Sequence, residues 1–310
     1  MTTFITPIGR FRYKRAPQGF LSSGDGYNRR FDTILADFDR KERIVDDTLH
    51  HDTDLTEHWW RTIDLLALIG NSGVVVNPEK FQFAQKEVNF AGFRITPDRV
   101  EPLPKYFNAI RNFPTPSSTT DIRSWFGLVN QVSNYAQLRD HMEPFRKFLS
   151  PRTPFEWNAE LDAAFESSKR AIIDAIKKGV EIFDLGRPTG LHTDWSKKGI
   201  GYFLLQKHCS CPDTNPDCCP GGWRITLASS QFLKPSEKHY APIEGEALAI
   251  TWGLEQSKFF TLGCPDLTVI TDHKPLVKIY GDKRLDEIRN TRLARLKQRT
   301  LPWYFKIVHP

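Results

Sequence analysis

The sequence has no run of the roughly 18 consecutive apolar residues that a membrane-spanning helix needs. Its first residues also lack a basic region followed by a long apolar stretch, so we expect no secretory signal and no membrane partner. Cysteine is scarce: there are five, an odd number, and four of them fall between positions 209 and 219. That distribution excludes a secreted disulfide scaffold and predicts an intracellular, reducing location, in the cytoplasm or nucleus.

Neither sign of charge dominates. The 43 Lys and Arg residues against 37 Asp and Glu give a formal net charge of +6. This small basic excess favours a phosphate-bearing partner only slightly, since many metabolic enzymes are equally basic. Apolar residues make up 39% of the 310 positions, which is typical of a globular protein with two or three domains.

Proline-rich stretches divide the chain, because proline fixes φ and removes a backbone donor. They lie at 113–118, 150–154 and 184–190. The domains that we predict from them are 1–112, 113–183 and 184–310. The first mixes short β-like segments with one helical run, Asp54 to Ile69. The second consists of amphipathic helices, and Ser117 or Ser118 can cap the first of them.

The third part predicts a mixed sheet with helices packed on it. Its pattern is three strands, a long helix, a strand, a helix and a last strand, over residues 190–195, 200–207, 224–232, 242–260, 267–271, 292–299 and 304–309. The fold class is therefore multi-domain, α+β and α/β.

Two carboxylates of this part, Asp194 and Asp272, lie at the carboxyl ends of predicted strands. Glu246 lies near the start of the long helix between those strands, and parallel neighbouring strands would bring all three to one sheet edge. Clustered carboxylates need cations, and hard oxygen ligands suit Mg²⁺ or Mn²⁺. Two such ions can activate a water and stabilise the leaving oxygen of a phosphodiester. The alternative is that these aspartates are turn formers or helix caps.

Three further groups carry a chemical signal. Asp46 and Asp47 fall between two short β-like segments, where a tight hairpin would present both acids; an Asp-rich turn is the alternative. Four thiolates in one loop could hold zinc, although the C-x-C-x6-C-C spacing is uncommon, and a reduced, ordered loop is the alternative. The loop cysteines are Cys209, Cys211, Cys218 and Cys219. Exposed basic residues could contact phosphates, or form a solvated face; the candidates are Arg123, Arg139, Arg289, Arg292, Arg295, Lys297 and Arg299.

Residues 191–201, 240–250 and 269–276 resemble the three signature blocks of the ribonuclease H domain of gypsy-type LTR retrotransposons. In that family each block supplies one metal-binding acid, and the matching residues here are Asp194, Glu246 and Asp272. Glu244 matches a variable position, and we interpret it as a solvated neighbour. We expect His273 to orient a neighbour or to pack, and Trp195 to lie beside the site.

Residues 11–20 resemble the segment of the family's reverse transcriptase that contacts the incoming nucleotide, with Pro17, Gln18 and Gly19 at its centre. The pair Asp46 and Asp47 falls at the family's paired metal-binding aspartates, although Ile44 stands where an aromatic is usual. Residues 77–80 and 88–93 resemble the next two blocks, and 119–130 resembles the helical thumb. By resemblance, the residues that contact the primer are Phe90, Ala91 and Gly92.

The resemblance therefore implies a partial polymerase palm, a helical thumb or connection, and a ribonuclease H-like domain. The implied activity is RNA-directed DNA synthesis coupled to Mg²⁺- or Mn²⁺-dependent cleavage of the RNA strand of RNA/DNA hybrids. The implied partners are such hybrids or a primer-template, with deoxynucleotides for the parent enzyme; the oligomeric state stays open. No residue here matches the family's fourth ribonuclease H acid or its upstream polymerase aspartate, so we expect little polymerase activity from this chain alone. The alternative is an inactive, truncated retroelement remnant that at most binds nucleic acid.

Overall fold

A computed structural model describes residues 3–17, 19–150, 152–212 and 218–309. The chain divides into two compact units, Met1–Gly92 and Phe93–Pro310. The domain boundaries expected after residues 112 and 183 stay predictions. In the part of the chain that the structure describes, no helix is both long and apolar enough to cross a membrane.

Among its described residues, the first unit contains five short strands and two helices. In chain order they are β1 (Thr3–Thr6), β2 (Gly9–Arg12), α1 (Leu21–Ile34), β3 (Lys41–Ile44), β4 (Asp47–His50), α2 (Leu55–Asn71) and β5 (Val88–Phe90), with a 3-10 turn at Pro78–Lys80. β1 pairs with β2 and β3 with β4, both antiparallel. The predicted helix is confirmed as α2, which begins where the Asp54 side chain accepts a hydrogen bond from the Glu57 N–H at 2.9 Å.

Helix α1 was not expected from the sequence, so the prediction of just one helical run in residues 1–112 is wrong, although the run itself is confirmed as α2. Its sequence carries two glycines and a run of polar residues, and only Phe31 is buried within it. With so few apolar positions, the sequence of α1 shows little of the 3.6-residue hydrophobic periodicity by which a helix is recognised. The core of the unit is correspondingly small: Phe31 and Leu35 pack with Leu65 and Ile69 of α2.

In the ranges of the second unit that the structure describes, there are eight strands and eight helices. In chain order they are β6 (Phe93–Ile95), β7 (Arg99–Pro102), α3 (Pro104–Arg111), α4 (Thr119–Asn130), α5 (Arg139–Met142), α6 (Ala159–Ile176), β8 (Val180–Glu181), β9 (Thr189–Ser196), β10 (Gly199–Lys207), β11 (Trp223–Phe232), α7 (Pro242–Gln256), α8 (Lys258–Thr261), β12 (Leu267–Ile270), α9 (Lys274–Gly281), α10 (Thr291–Thr300) and β13 (Lys306–Val308), with 3-10 turns at Glu143–Leu149, Glu237–His239 and Leu285–Glu287.

Aromatic rings hold the helical part of this unit together. Trp125 of α4 and Phe165 of α6 are both fully buried, with ring centroids 5.0 Å apart. Phe145 meets Phe165 edge-on at 5.7 Å. Such edge contacts add to the free energy already gained from burying the rings. The predicted cap of α4 is confirmed at Ser118, whose hydroxyl accepts a hydrogen bond from the Asp121 N–H at 3.2 Å.

A five-stranded mixed sheet of order β11-β10-β9-β12-β13 forms the rest of the unit. β9, β10 and β11 are antiparallel neighbours, whereas β12 runs parallel to both β9 and β13. Helix α7 lies on this sheet and is buried without interruption from Glu244 to Leu254, which makes it the central helix of the core. The helix predicted for 242–260 ends earlier, at Gln256, and α3 and α9 were not expected.

Candidate active site

The register of two parallel strands sets two of the predicted acids side by side. His192 of β9 lies opposite Ile270, the last residue of β12. Asp194 and Asp272 each follow two residues later, so both carboxylates emerge at the same level and at the same edge of the sheet. This confirms the expectation that β9 and β12 are parallel neighbours.

Helix α7 brings the third acid to this edge. Carboxylate oxygens of Asp194, Glu246 and Asp272 all lie within 4.8 Å of one another. The two aspartates are exposed, whereas Glu246 is 5% exposed. Burial, reinforced by the negative charges of Asp272 and Asp194, raises the pKa of Glu246 to about 8. The cluster therefore holds a proton at neutral pH when no cation is present.

Contacts between β9 and the start of α7 fix the position of Glu246. The backbone N–H of Trp195 donates a hydrogen bond to its carboxylate. The Trp195 indole lies directly against Gly245, where a Cβ would come within 2.2 Å of Cε2. Pro242 occupies the first turn of α7, where its missing N–H costs nothing. A glycine next to the acid thus lets the helix approach the strand end.

Glu244 was predicted to be a solvated neighbour, and this is wrong: it is 8% exposed, and its carboxylate accepts hydrogen bonds from three donors. It accepts hydrogen bonds from the Ala241 N–H at 3.2 Å, Asn290 Nδ2 at 2.9 Å and Arg292 at 2.7 Å. Burial alone would raise the pKa of Glu244, but these donors hold it below its ordinary value. Glu244 is therefore a structural anchor between α7 and α10.

The donors at the sheet edge fit hard divalent cations. All three are carboxylates, the ligands that Mg²⁺ and Mn²⁺ prefer. One oxygen of Glu246, Oε2, is buried without a hydrogen-bond partner in the described structure, and so are Trp195 Nε1 and His273 Nδ1. A buried orphan carboxylate oxygen is costly unless a ligand satisfies it. Asp194, Glu246 and Asp272 could therefore hold such ions.

The predicted polymerase aspartates lie at a hairpin tip in the first unit. Ile44 pairs with Asp47, so Val45 and Asp46 form a two-residue turn. Val45 has a φ of 55°, a conformation that a β-branched residue rarely adopts. Both aspartates are exposed, and in the described part of the chain neither belongs to a group of three metal-ligating side chains.

The other residues predicted to contact nucleotide or primer lie in loops of the first unit, except Phe90, which ends β5. Gln18 lies outside the described residues. The Pro17 carbonyl accepts a hydrogen bond from Ser23 Oγ at 2.8 Å, and Gly19 has a φ of 78°. Phe90, Ala91 and Gly92 are half-buried, and the last two have φ angles of 54° and 88°. Their assignments stay predictions.

Most of the basic residues predicted to contact phosphates already bind acidic side chains or backbone carbonyls of this chain. Arg139 was predicted to be exposed, and this is wrong: its side chain is 9% exposed and pairs with Asp140. Arg292 and Arg299 pair with Glu244 and Glu255, and the Lys297 ammonium donates to two backbone carbonyls. Within the described ranges, three of the candidates are exposed with no paired acid: Arg123, Arg289 and Arg295.

A buried polar cluster in the first unit was missed. Asp52, whose side chain is 0% exposed, contacts His58 at 3.0 Å, His50 at 3.4 Å, and Arg40 and Arg61 at 3.1 Å each. The two imidazole rings stack at 4.2 Å. Because two guanidinium groups already neutralise the carboxylate, the cluster is an ion-pair network tying β4 to α2. The spacing His-x-Asp-x5-His was the signal available in the sequence.

The sheet order and the carboxylates at its central strand ends define a ribonuclease H-like fold. The family described as "RNase H-like domain found in reverse transcriptase" matches residues 184–301. The Pol polyprotein of transposon 297 from Drosophila melanogaster is 29% identical over 99% of this chain, and that of transposon gypsy is 26% identical over 96%. The chain is similar to these gypsy-type retrotransposon Pol polyproteins, and it spans 27% and 28% of their lengths.

Solved structures agree on the fold. A foamy viral protease-reverse transcriptase in complex with double-stranded DNA superposes with a TM-score of 0.78, at 19% identity, over 100% of this chain and 52% of that one. The foamy viral enzyme in complex with an RNA/DNA hybrid gives 0.77 at 19% identity, over 99% and 41%. The predicted fold class, a palm, thumb, connection and ribonuclease H-like region, is confirmed.

Proposed function

We propose that residues 184–309 form a metal-dependent ribonuclease H that cleaves the RNA strand of RNA/DNA hybrids. The observation that carries the proposal is the convergence of Asp194, Glu246 and Asp272 within 4.8 Å at one sheet edge. Two of these acids are exposed to an incoming phosphodiester, and the third is buried behind them. A purely structural cluster of three acids would be paired with cations from the protein, as Glu244 is with Arg292.

Each residue has a distinct part in the chemistry. Bound divalent ions would activate the attacking water and stabilise the leaving oxygen of the phosphodiester. Asp194 and Asp272, at the ends of the parallel strands β9 and β12, would hold those ions. Glu246 would be the third ligand and would bind as the ionised carboxylate, because a bound cation would offset the negative charges of Asp272 and Asp194 that raise its pKa. Trp195 keeps Glu246 in place through its backbone N–H.

The second activity that we propose, for the parent polyprotein, is DNA synthesis, and its candidate residues lie in the first unit. We assign Asp46 and Asp47 as metal ligands for DNA synthesis, Pro17, Gln18 and Gly19 as the nucleotide contact, and residues 90–92 as the primer contact. The exposed hairpin tip favours this reading, since both carboxylates are free of ion pairs among the described residues. The partners would be a primer-template and deoxynucleotides.

The alternative function is nucleic-acid binding without catalysis. Arg289 and Arg295 are exposed, without a paired acid in the described structure, and lie at or near α10. Free guanidinium groups of this kind bind phosphate backbones regardless of sequence and lose affinity steeply with salt. This activity does not need the carboxylate cluster, so the two functions can be separated.

A cleavage assay tests the proposal. The purified chain is incubated with a hybrid labelled on its RNA strand, in Mg²⁺ or Mn²⁺, beside Asp194→Asn and the control Asp174→Asn. Asp174 is an exposed α6 residue paired with Lys177. We expect cleavage by the wild type and the control, and at least a hundredfold loss in Asp194→Asn, in line with removing a catalytic metal ligand.

The same assay identifies the alternative. Binding of the hybrid without cleavage by the wild-type chain, in either metal, would support the nucleic-acid-binding function and reject the nuclease. Equal cleavage by the wild type and Asp194→Asn would mean that the activity does not come from this site. Single-stranded RNA and double-stranded DNA of the same sequence report whether the hybrid is the preferred substrate.

A further inference from the structure

The four clustered cysteines lie at the tip of the β10–β11 hairpin, in the loop 208–222. Lys207 pairs with Trp223 at the end of the ladder. Cys209 and Cys211 follow β10, and Cys218 and Cys219 precede β11. Two thiols therefore come from each arm of the loop, and their sulfur atoms all lie within 4.8 Å of one another.

The spacing of the sulfur atoms fits a tetrahedral ion. Cys209 and Cys218 Sγ are 3.5 Å apart, and Cys218 and Cys219 Sγ are 4.0 Å apart. Four sulfurs at about 2.3 Å from a central zinc would lie about 3.8 Å from one another. A disulfide would need about 2.05 Å. All five cysteines of the chain are free thiols, so the arms are not joined by a covalent bond.

The backbone around the thiols is closely fitted to them. A Cβ at Gly222 would lie 2.4 Å from Cys219 Sγ and 2.9 Å from Cys209 Sγ. The His208 N–H donates to the Gly222 carbonyl at 2.7 Å, which closes the base of the loop. Glycine at 222 thus leaves the room that the sulfur cluster occupies.

Positive charge lies beside the cluster. The Lys207 ammonium donates a hydrogen bond to the Cys211 carbonyl. Four thiolates around one divalent ion carry two net negative charges, which a neighbouring ammonium partly neutralises. Soft thiolate ligands select zinc over the hard cations that suit the carboxylates of the sheet edge.

We propose that Cys209, Cys211, Cys218 and Cys219 bind one structural Zn²⁺ ion that fastens the tip of the β10–β11 hairpin. All four ligand positions are filled by protein, so the ion has no open position for chemistry. Its role is to order the loop, because a closed site adds the free energy of metal binding to that of folding. The site is separate from the magnesium ligands proposed above.

Zinc content of the purified 310-residue chain tests the proposal. The chain is prepared with reduced thiols, dialysed, and analysed by elemental mass spectrometry beside Cys209→Ser, Cys218→Ser and the control Cys264→Ala. Cys264 is buried in the sheet core, apart from the loop. We expect one zinc per wild-type chain and per control chain, and its loss in the two loop variants. Cobalt substitution should give the thiolate charge-transfer and tetrahedral d–d bands of a four-sulfur site.

A measurement on the wild-type chain keeps the proposal testable if the loop variants fail to fold. Adding a zinc chelator should expose four thiols to Ellman's reagent, one for each loop cysteine. Asp194→Asn should keep its zinc while losing nuclease activity, so failure of one proposal is distinguishable from failure of the other. A reduced wild-type chain with no zinc above the level of Cys209→Ser, or no cobalt–thiolate band, would overturn the proposal.

Discussion

The indole of Trp195 touches the backbone of Gly245 so closely that a Cβ at position 245 would lie 2.2 Å from Cε2 and 2.3 Å from Cδ2 of the ring. The same tryptophan donates its backbone N–H to Glu246, the next residue of α7. The strand that carries Asp194 and the helix that carries Glu246 are thus joined at one point. The geometry of the carboxylate cluster therefore depends on glycine at position 245, because any side chain there would collide with the Trp195 indole.

Gly245→Ala should therefore weaken both folding and metal binding. The added methyl must displace the ring or the helix, and such overpacking costs about 1–3 kcal/mol, more than the gain in helix propensity of about 1 kcal/mol. We expect a lower melting temperature and a large loss of Mg²⁺-dependent cleavage. Thermal unfolding and the hybrid assay measure the two effects.

Gly127→Ala is the matched control, because Gly127 also lies within a helix, α4, but a Cβ there would meet nothing within 4 Å. It should raise stability by about 0.5–1 kcal/mol and leave cleavage unchanged. If Gly245→Ala behaved like Gly127→Ala, the contact with Trp195 would not determine the position of Glu246.

The protonation of Glu246 predicts a pH effect on the metal-free chain. Its folded pKa, about 8, lies above the ordinary value of 4.5. The stabilisation of the protonated form is complete below about pH 4.5 and is lost as the pH rises through 8. From pH 5 to pH 8.5, the unfolding free energy of the wild type should fall relative to Glu246→Gln by on the order of 3 kcal/mol.

Magnesium should reverse that loss. At pH 7, calorimetry in buffers of different ionisation enthalpy should show that Mg²⁺ binding releases about one proton per chain, since the bound carboxylate must be ionised. Glu255→Gln, a change near the far end of the same helix, should leave the Mg²⁺ response intact. Binding without proton release would contradict the assignment of Glu246 as a protonated ligand.

The strand and helix patterns placed Asp194, Glu246 and Asp272 at or near the ends of elements, and the resemblance to signature blocks singled them out as metal ligands. Parallel pairing of β9 and β12 brings the two aspartates to one sheet edge. The same patterns did not reveal that the Arg139 side chain packs against Gly199 or that Glu244 binds Arg292, because these contacts join residues far apart in the chain. Helix α1 was missed because its few apolar positions and two glycines leave little periodicity. Contacts between elements, rather than local propensity, decide these cases.

Asp52→Asn should strongly destabilise the first unit. The carboxylate is 0% exposed and faces Arg40 and Arg61 at 3.1 Å each. Removing its charge takes the charge partner from the largely buried Arg61, whereas Arg40 keeps its ion pair with Glu57. Breaking a buried ion pair costs about 3–5 kcal/mol. Hydrogen exchange of the α2 amides measures the loss, and Asp64→Asn, at an exposed position of the same helix, should change stability by less than about 0.5 kcal/mol.

The same carboxylate has a defined pH dependence. Burial alone would raise the pKa of Asp52, but the hydrogen bond from His58 and the charge of Arg61 hold it below its ordinary value of 3.8. Its contribution is therefore present above pH 3.8 and is lost as the pH falls through the lower folded pKa. The stability difference between wild type and Asp52→Asn should shrink as the pH falls below 3.8. A difference that stayed constant to the lowest pH would argue against an ionised Asp52.

Val45→Gly should stabilise the hairpin that presents Asp46 and Asp47. Val45 has a φ of 55° and is 55% exposed, so the side chain is strained while burying little surface. Glycine removes strain of about 1–3 kcal/mol and costs about 0.5–1 kcal/mol in backbone entropy, a net gain of about 1 kcal/mol. Val75→Gly, at a 94% exposed position without positive φ, should instead destabilise the chain. Hydrogen exchange of the β3 and β4 amides separates the two variants, and equal losses in both would show that the turn is not strained.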